Sequence, residues 1–221
     1  MRLLAQLSED PNFVQAIKDG KDLHSYSAAL LFDVPYEDFL QYDEEGDIIL
    51  EKDGSVAIDP EMKKKYRTPA KAISFGLMYG MGVTKLAKSL DITIKEARDL
   101  KNKYFETFPK IKELMEGLEK LAKENKFAYS PLDGRRQDLS SIDWDHPGKV
   151  AGALNQAKNM PFQGCGASTT KLAMCRIKNN IDDNGWDARI INCVHDIGNI
   201  LSCLINYYIC WKLLRAFNTI A

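Results

Sequence analysis

The chain has 221 residues, of which 45% are hydrophobic and 28% charged, with a formal net charge of −1 at pH 7. This composition predicts a globular protein with one good core or two small ones and excludes a disordered chain. The near-zero charge excludes a protein wrapped in basic surface, so any nucleic-acid contact must come from local clusters.

Cysteine spacing and apolar runs indicate a reduced, cytosolic chain. The five cysteines form neither a CxxC pair nor the paired spacing of a zinc site, and we expect no disulfide. The first residues lack the apolar core of a signal peptide. The longest apolar run, residues 197–211, is shorter and more polar than a membrane-spanning helix needs.

The first sixty residues predict three helices and a hairpin. Apolar residues recur at helical intervals through residues 1–20, broken at Asp10-Pro11. A further helix is predicted from Gly20 to Phe32, and a lone His24 near its start is ordinarily a surface or capping residue. The acidic, turn-rich stretch from Tyr42 to Pro60 predicts an inserted hairpin with no chemistry of its own.

The stretch RTPAKAISFGLMYG, residues 67–80, carries the strongest functional pattern. In a helix, side chains four residues apart share one stripe, which here holds Arg67, Lys71, Phe75 and Tyr79. Two cations and two aromatic rings suit a nucleoside triphosphate, whose phosphates the cations neutralise and whose base stacks on a ring. The alternative is an amphipathic helix with core aromatics and solvated cations. We expect Thr68 to be its N-cap.

Residues 83–196 predict helices followed by a strand. Thr93 and Glu96 predict a capping box, and a continuous apolar stripe follows Pro109. Residues 127–136 indicate a strand, a turn and a basic pair that is ordinarily surface charge. Two helices, 150–158 and 167–183, are predicted on either side of a Pro-Gly break, before a buried strand at 188–196 that ends in His195 and Asp196.

Several of these stretches, in this order, resemble the family A DNA polymerases of the bacterial DNA polymerase I type. The matching segments, which lie between residues 2 and 196, are RLLAQLSEDPNF, GKDLHS, the motif B pattern R-x3-K-x3-FG-x2-YG, GRR, NMPFQG and the motif C segment VHD. Each is weak alone, and the conjunction is specific.

The resemblance implies a mixed α/β, predominantly helical fold, with the fingers and part of the palm of a right-hand polymerase. Residues 1–9 would be palm that follows motif A, and residues 10–148 the fingers, with an acidic hairpin insertion at about 43–60 and motif B at 67–80. Residues 149–196 would be palm with motif C, and 197–221 an off-pattern tail.

The resemblance also implies residue roles. The incoming dNTP would contact residues of the helical stripe and of GKDLHS: His24, Arg67, Lys71, Phe75 and Tyr79. The DNA primer-template would contact glycines, arginines, amides and an imidazole: Gly76, Gly80, Arg135, Arg136, Asn159, Gln163 and His195. Asp196 would be the catalytic, metal-binding residue of a two-Mg²⁺ site, because Mg²⁺ prefers oxygen ligands.

The implied activity is DNA-directed DNA polymerase (a nucleotidyltransferase): dNTP addition to a primer 3′ end in DNA replication or repair, in a bacterial or phage-infected cytoplasm, or in an organelle. The motif A aspartate and the thumb lie outside the chain, so we expect it to polymerise poorly alone. One alternative is a split polymerase whose second polypeptide supplies motif A and the thumb. Another is a non-catalytic nucleotide- or DNA-binding remnant.

The tail carries a further expectation. All 31 acidic residues lie in the first 196 positions, and family members continue differently after motif C. Residues 197–221 are therefore interpreted either as out-of-frame translation or as a genuine amphipathic tail.

Overall fold

The structure is a computed structural model that describes residues 1–194 and 197–202, with side chains described through residue 191. His195, Asp196 and residues 203–221 lie outside the described residues. The chain forms two compact units. The first comprises Met1–Ala128 and Asp138–Asn159, and the second comprises Tyr129–Gln137 and the residues from Met160 onward.

The fold is predominantly helical, as predicted. The α-helices in chain order are α1 (Arg2–Ser8), α2 (Pro11–Lys18), α3 (Leu23–Phe32), α4 (Pro60–Met62), α5 (Thr68–Met78), α6 (Val83–Leu90), α7 (Ile94–Thr107), α8 (Pro109–Asn125) and α9 (Pro147–Asp183). A 3₁₀ helix covers Tyr36–Phe39 and a π-helical turn covers Lys63–Arg67. The strands are β1 (Phe127–Tyr129), β2 (Arg136–Asp138), β3 (Ala188–Val194) and β4 (Ile197–Ser202).

Short polar side chains start several of these helices. The carboxylate of Asp10 accepts a hydrogen bond from the Asn12 backbone N–H at the start of α2. Thr93 and Glu96 form the predicted capping box of α7, each side chain bonding to the other residue's backbone N–H. Because such caps satisfy N–H groups that lack a partner within the helix, they explain why sequence patterns located these helix starts.

The expectation that Thr68 is an N-cap was wrong. The helical path begins at Pro60, where the carboxylate of Asp59 accepts from the backbone N–H groups of Glu61 and Met62. It runs through the π turn into α5, and the Thr68 N–H donates to the Lys63 carbonyl five residues back. Proline has no N–H to donate to the carbonyl four residues back, and its ring clashes with that carbonyl. The wider turn directly before Pro69 accommodates both effects.

The acidic segment forms a small meander instead of extended strands. Antiparallel bridges join Leu40 to Ile58, Tyr42 to Ile48 and Leu50 to Val56. The hairpin predicted in this stretch is therefore present as isolated bridges. Several large apolar side chains of this meander are exposed, namely Tyr42, Ile48, Ile49 and Leu50.

In the first unit, aromatic side chains fill the space between α2, α7 and α8. The rings of Phe13 and Phe108 stack with centroids 4.6 Å apart, and both side chains are fully buried. The ring of Tyr104 lies 5.0 Å from that of Phe108. A second cluster packs α3 against α5 through Ala28, Ala29 and Ala70. This second cluster holds α5, which carries Lys71 and Phe75 of motif B.

The expectation of two helices on either side of a Pro-Gly break was also wrong. A single continuous helix, α9, covers both. Pro161 lies inside it and costs one backbone hydrogen bond. The burial of Ala157, Phe162 and Cys165 offsets that cost. Among the described helices, none is both long and apolar enough to cross a membrane.

In the second unit, β3 pairs with β4 as an antiparallel ladder. Ala188 faces Ser202 at one end, and Val194 faces Ile197 at the other. Ala188 packs with Ile177 and Ile181 of α9. The strand at Ala188–Val194 was predicted, whereas the strand at Ile197–Ser202 was not.

We expect Phe108→Ala to lower the free energy of unfolding by about 3–5 kcal/mol, because the substitution removes a fully buried ring and leaves a cavity beside Phe13. Urea unfolding followed by circular dichroism measures the change. Ile94→Ala is the matched control, since the Ile94 side chain is 51% exposed and should cost less than about 1 kcal/mol. Equal losses in the two variants would contradict this assignment of the core.

Candidate nucleotide-binding site

The predicted stripe is organised by an ion pair between Arg67 and Asp22. The Arg67 Nε donates to Asp22 Oδ2 at 2.8 Å, and Nη2 donates to Oδ1 at 2.9 Å. The two residues are 45 positions apart in sequence, and their side chains are 19% and 22% exposed. A two-pronged contact of this kind fixes the plane of the guanidinium and connects the π turn to the start of α3.

The carboxylate of Asp22 is also the N-cap of α3. Its Oδ2 accepts the backbone N–H of Ser25 at 2.7 Å and so caps α3. Burial disfavours the ionised carboxylate, but the hydrogen bonds from Arg67 and Ser25 outweigh this effect and lower the pKa of Asp22 to about 2. Asp22 therefore remains ionised at neutral pH and holds Arg67 in place.

The other stripe residues lie beside one another along α5 and its end. The Lys71 Nζ lies 6.0 Å from the centroid of the Phe75 ring, and the Phe75 ring stacks on Tyr79 at 6.2 Å. The His24 ring approaches Phe75 from α3 with centroids 5.5 Å apart. We call Arg67, Lys71, Phe75 and Tyr79, together with His24, the cationic-aromatic face.

This face points away from the core. Lys71 and Tyr79 are exposed and Phe75 is partly exposed, whereas the opposite side of α5 is buried through Ala70, Ile73 and Leu77. The alternative in which the aromatic residues of the stripe are core residues therefore does not describe the structure. The predicted juxtaposition is present, and the roles of the residues in binding stay predictions.

His24 is a neutral imidazole at pH 7. Burial lowers its pKa to about 4, and the positive charges of Arg67 and Lys71 act in the same direction, while Asp22 opposes them. Its Nδ1 is buried and has no hydrogen-bond partner. A buried polar atom without a partner is costly and is a recognised feature of binding sites.

A cleft of about 250 Å³ lies beside His24 and Asp22. Two cationic residues that had no predicted role, Arg2 and Lys21, line it. The Lys21 Nζ lies 5.2 Å from the ring centroids of both Tyr26 and Tyr36. Both residues lie in segments that resemble the family, but the fold places their positive charges beside the cleft.

The glycine at the end of the stripe is required by close packing. Gly80 has φ +72°, and a Cβ built there would lie 2.0 Å from the Oδ1 of Asn155. Gly76 is tighter than usual but less restricted, since its Cβ would lie 3.1 Å from the Met81 sulfur. Asn155 therefore limits the residue type at position 80, a role that sequence reasoning missed because the two are distant in the chain.

The predicted DNA-contacting residues fall in different places. Asn159 belongs to the first unit, and its Oδ1 is buried without a hydrogen-bond partner. Arg135, Arg136 and Gln163 belong to the second unit, where Arg135 makes internal hydrogen bonds to Asp133 and Ser168. His195 and Asp196 lie outside the described residues.

The described residues do not by themselves fit a two-metal site. At the cationic-aromatic face, the Asp22 carboxylate is engaged by Arg67 and Ser25. Among the described residues, the group of acidic oxygens close enough to share an ion is Asp43, Glu45 and Asp47, all exposed in the meander. There the Asp43 Oδ1 accepts two backbone N–H groups, as a turn-forming residue does.

Comparison with known proteins identifies the class. The family model described as DNA polymerase family A matches residues 1–197. DNA polymerase I of Caldicellulosiruptor bescii is 34% identical over 198 residues, which cover 89% of this chain and 20% of that protein. Thermostable DNA polymerase I of Thermus aquaticus is 31% identical over 196 residues, with the same coverage of 89% and 20%.

A solved structure agrees with these relatives. The POL domain of Pol1 from M. smegmatis, in a complex with DNA primer-template and dNTP, is similar with a TM-score of 0.83 and 27% identity. The similarity covers 100% of this chain and 35% of that one. This chain belongs to DNA polymerase family A, and it spans about a fifth of the length of the two curated relatives named above.

We expect stability to fall as the pH drops from about 6.5 to about 4, the unfolded and folded pKa values of His24. In this window the unfolded chain binds a proton at His24 that the folded chain does not, so acid favours unfolding. Asp22 acts in a lower window, between about 3.9 and 2, because its folded pKa is depressed.

Urea unfolding at a series of pH values measures this dependence. His24→Gln should reduce the slope of the unfolding free energy against pH by up to one proton in the upper window. An unchanged slope would show that the imidazole of His24 is accessible to protons in the folded chain.

We expect Gly80→Ala to lower the free energy of unfolding by about 1–3 kcal/mol. Alanine is strained at the positive φ of this position, and its Cβ would clash with the side chain of Asn155. Gly117→Ala is the matched control within helix α8, where a Cβ meets no atom within 4 Å. That control should gain about 0.5–1 kcal/mol, since alanine favours a helix interior. A neutral Gly80→Ala would mean that Asn155 moves aside freely.

Proposed function

We propose that this chain is part of a DNA-directed DNA polymerase that adds dNTPs to a primer 3′ end in DNA replication or repair. The observation that carries the proposal is the cationic-aromatic face, where Arg67, Lys71 and Phe75 lie beside His24. Family membership supports this proposal, and so does the polymerase complex with DNA primer-template and dNTP.

The chemistry of the face suits a triphosphate. A guanidinium has five N–H donors, so Arg67 keeps donors for phosphate oxygens after its two bonds to Asp22. Lys71 adds a mobile point charge one turn further along the helix. The exposed part of Phe75 offers a ring on which a base can stack, and Tyr79 extends that surface.

Neutral His24 is proposed to donate a hydrogen bond to the triphosphate. Its depressed pKa removes a third positive charge that would repel Arg67 and Lys71, while the imidazole keeps one N–H donor.

The proposed DNA contacts are distributed over both units. Gly76 and Gly80 are proposed to lie beside the templating base, while Arg136, Asn159, Gln163 and His195 contact the primer-template, as the family resemblance implies. An amide suits contacts in the minor groove, since the acceptors there are nearly the same for every base pair.

Asp196 is proposed as the catalytic carboxylate and Mg²⁺ ligand, because Mg²⁺ prefers carboxylate oxygens. When bound, two such ions activate the primer hydroxyl and stabilise the leaving pyrophosphate. A second polypeptide that supplies motif A and the thumb, and a cytoplasmic location, stay predictions.

We expect Lys71→Ala to weaken dNTP binding by about 10- to 100-fold, the value of one charge-assisted hydrogen bond. Titration of a fluorescent dNTP with the full chain measures the dissociation constant. Lys120→Ala on α8 removes the same charge from another exposed position and should leave binding unchanged within about twofold.

Two outcomes would contradict the proposal. Equal losses in both lysine variants would indicate attraction by overall charge instead of a site. Absence of binding by the unmodified chain would show that the cationic-aromatic face does not hold a nucleotide in this protein.

A further inference from the structure

We propose that Arg135 is a positioning residue, which fixes the turn of α9 that bears Gln163 and does not itself hold a DNA phosphate. The inference rests on the proposed function, because it concerns how the second unit meets the primer-template. It gives Arg135 a different task from the direct DNA contact that the resemblance implies.

The guanidinium of Arg135 is directed into its own unit by three hydrogen bonds. Its Nε donates to Asp133 Oδ2 at 2.5 Å, and its Nη2 donates to Ser168 Oγ at 2.6 Å and to the carbonyl of Gly164 at 3.2 Å. The acceptors on α9, at positions 164 and 168, lie on the turn directly after Gln163. Arg135 therefore ties the 130–135 turn to that part of the helix.

The network closes on itself. The hydroxyl of Ser168 accepts from Arg135 and donates to Asp133 Oδ2 at 2.5 Å, and the backbone N–H of Arg135 donates to Asp133 Oδ1 at 3.2 Å. We call Asp133, Arg135 and Ser168 the turn lock. Hydrogen bonds from Ser168 and Arg135 hold the pKa of Asp133 well below its usual range, so the carboxylate remains charged.

The backbone supports the same contact. A Cβ built on Gly164 would lie 2.5 Å from the Cβ of Ser130, so glycine is what permits this approach of turn and helix. The backbone N–H of Ser130 donates to the carbonyl of Arg135 at 2.8 Å and closes the turn. The turn lock thus adds directional bonds to an interface that is already in close contact.

Charge favours positioning over phosphate binding. The Arg135 side chain is 44% exposed, so accessibility alone does not exclude a phosphate. Its positive charge is, however, already paired with Asp133, and a phosphate would have to share the guanidinium with that carboxylate. An arginine that holds a phosphate releases counterions, whereas one neutralised within the protein contributes little to the salt dependence of binding.

The test compares variants of opposite charge. Asp133→Asn and Arg135→Gln both break the turn lock, and we expect each to weaken binding of a primer-template duplex about fivefold to tenfold. Fluorescence anisotropy at a series of KCl concentrations, from roughly 50 to roughly 200 mM, gives the slope of log K against log salt. This slope should remain unchanged in both variants. Arg136→Gln is the control for a phosphate contact and should reduce the slope by about one.

The opposite result overturns the inference. If Arg135 holds a phosphate, Arg135→Gln reduces the slope by about one, and Asp133→Asn tightens binding because it removes a competing acceptor and a negative charge. The sign of the Asp133→Asn effect therefore separates the two roles. The proposed role of Gln163 is checked by Gln163→Ala, whose effect should be lost in the Arg135→Gln background.

A measurement without DNA keeps this inference distinct from the proposed function. Hydrogen exchange of the backbone N–H groups at positions 164–168 should become about tenfold faster in Asp133→Asn and Arg135→Gln, and remain unchanged in Arg136→Gln. Unchanged exchange in all three variants overturns the turn lock itself. Absence of duplex binding by the unmodified chain, with the exchange result as expected, instead overturns the proposed function and the DNA-related role of Gln163.

Discussion

The ion pair between Arg67 and Asp22 is the contact on which the candidate site depends. It joins two segments that are 45 positions apart and places the π turn before α5 against the start of α3. Because the same carboxylate caps α3, one charge positions both a cation of the stripe and the helix that carries His24. These residues belong to the segment that matches the family, and the structure brings them together in one face.

The π turn explains how a proline is tolerated next to this contact. A regular helix at Pro69 would lose one hydrogen bond and force the ring against a carbonyl. The wider turn at Lys63–Arg67 avoids both problems and sets where the guanidinium of Arg67 leaves the helix. Single π-helical turns within helices are frequent at functional sites. Here such a turn carries Arg67, whose side chain Asp22 holds.

Two arginine residues for which the family resemblance implies ligand contacts, Arg67 and Arg135, have different hydrogen-bond partners in the structure. Arg67 makes two hydrogen bonds to Asp22 at the cationic-aromatic face, while Arg135 makes three hydrogen bonds inside its own unit. Both pair with an aspartate, yet one aspartate caps a helix in the first unit and the other closes a turn in the second. An arginine in a sequence therefore indicates a positive charge, and only its partners in the fold show whether that charge is paired within the protein.

Features that depend on near neighbours in the chain could be predicted from the amino-acid sequence. Helix starts at Asp10 and Thr93, the periodic stripe from Arg67 to Tyr79, and the strand at Ala188–Val194 all follow from caps and spacing over a few residues. The ordered motifs also indicated the family, which the comparisons confirm.

Contacts between residues that are distant in the chain could be seen only in the folded structure. The pairing of Asp22 with Arg67, the limit that Asn155 sets on Gly80, and the hydrogen bonds of Arg135 to α9 have no local signal. The same holds for the passage of α9 through Pro161, where buried neighbours outweigh a local preference to break. Local propensities are worth fractions of a kcal/mol per residue, or about 3 kcal/mol for proline, so packing can override them.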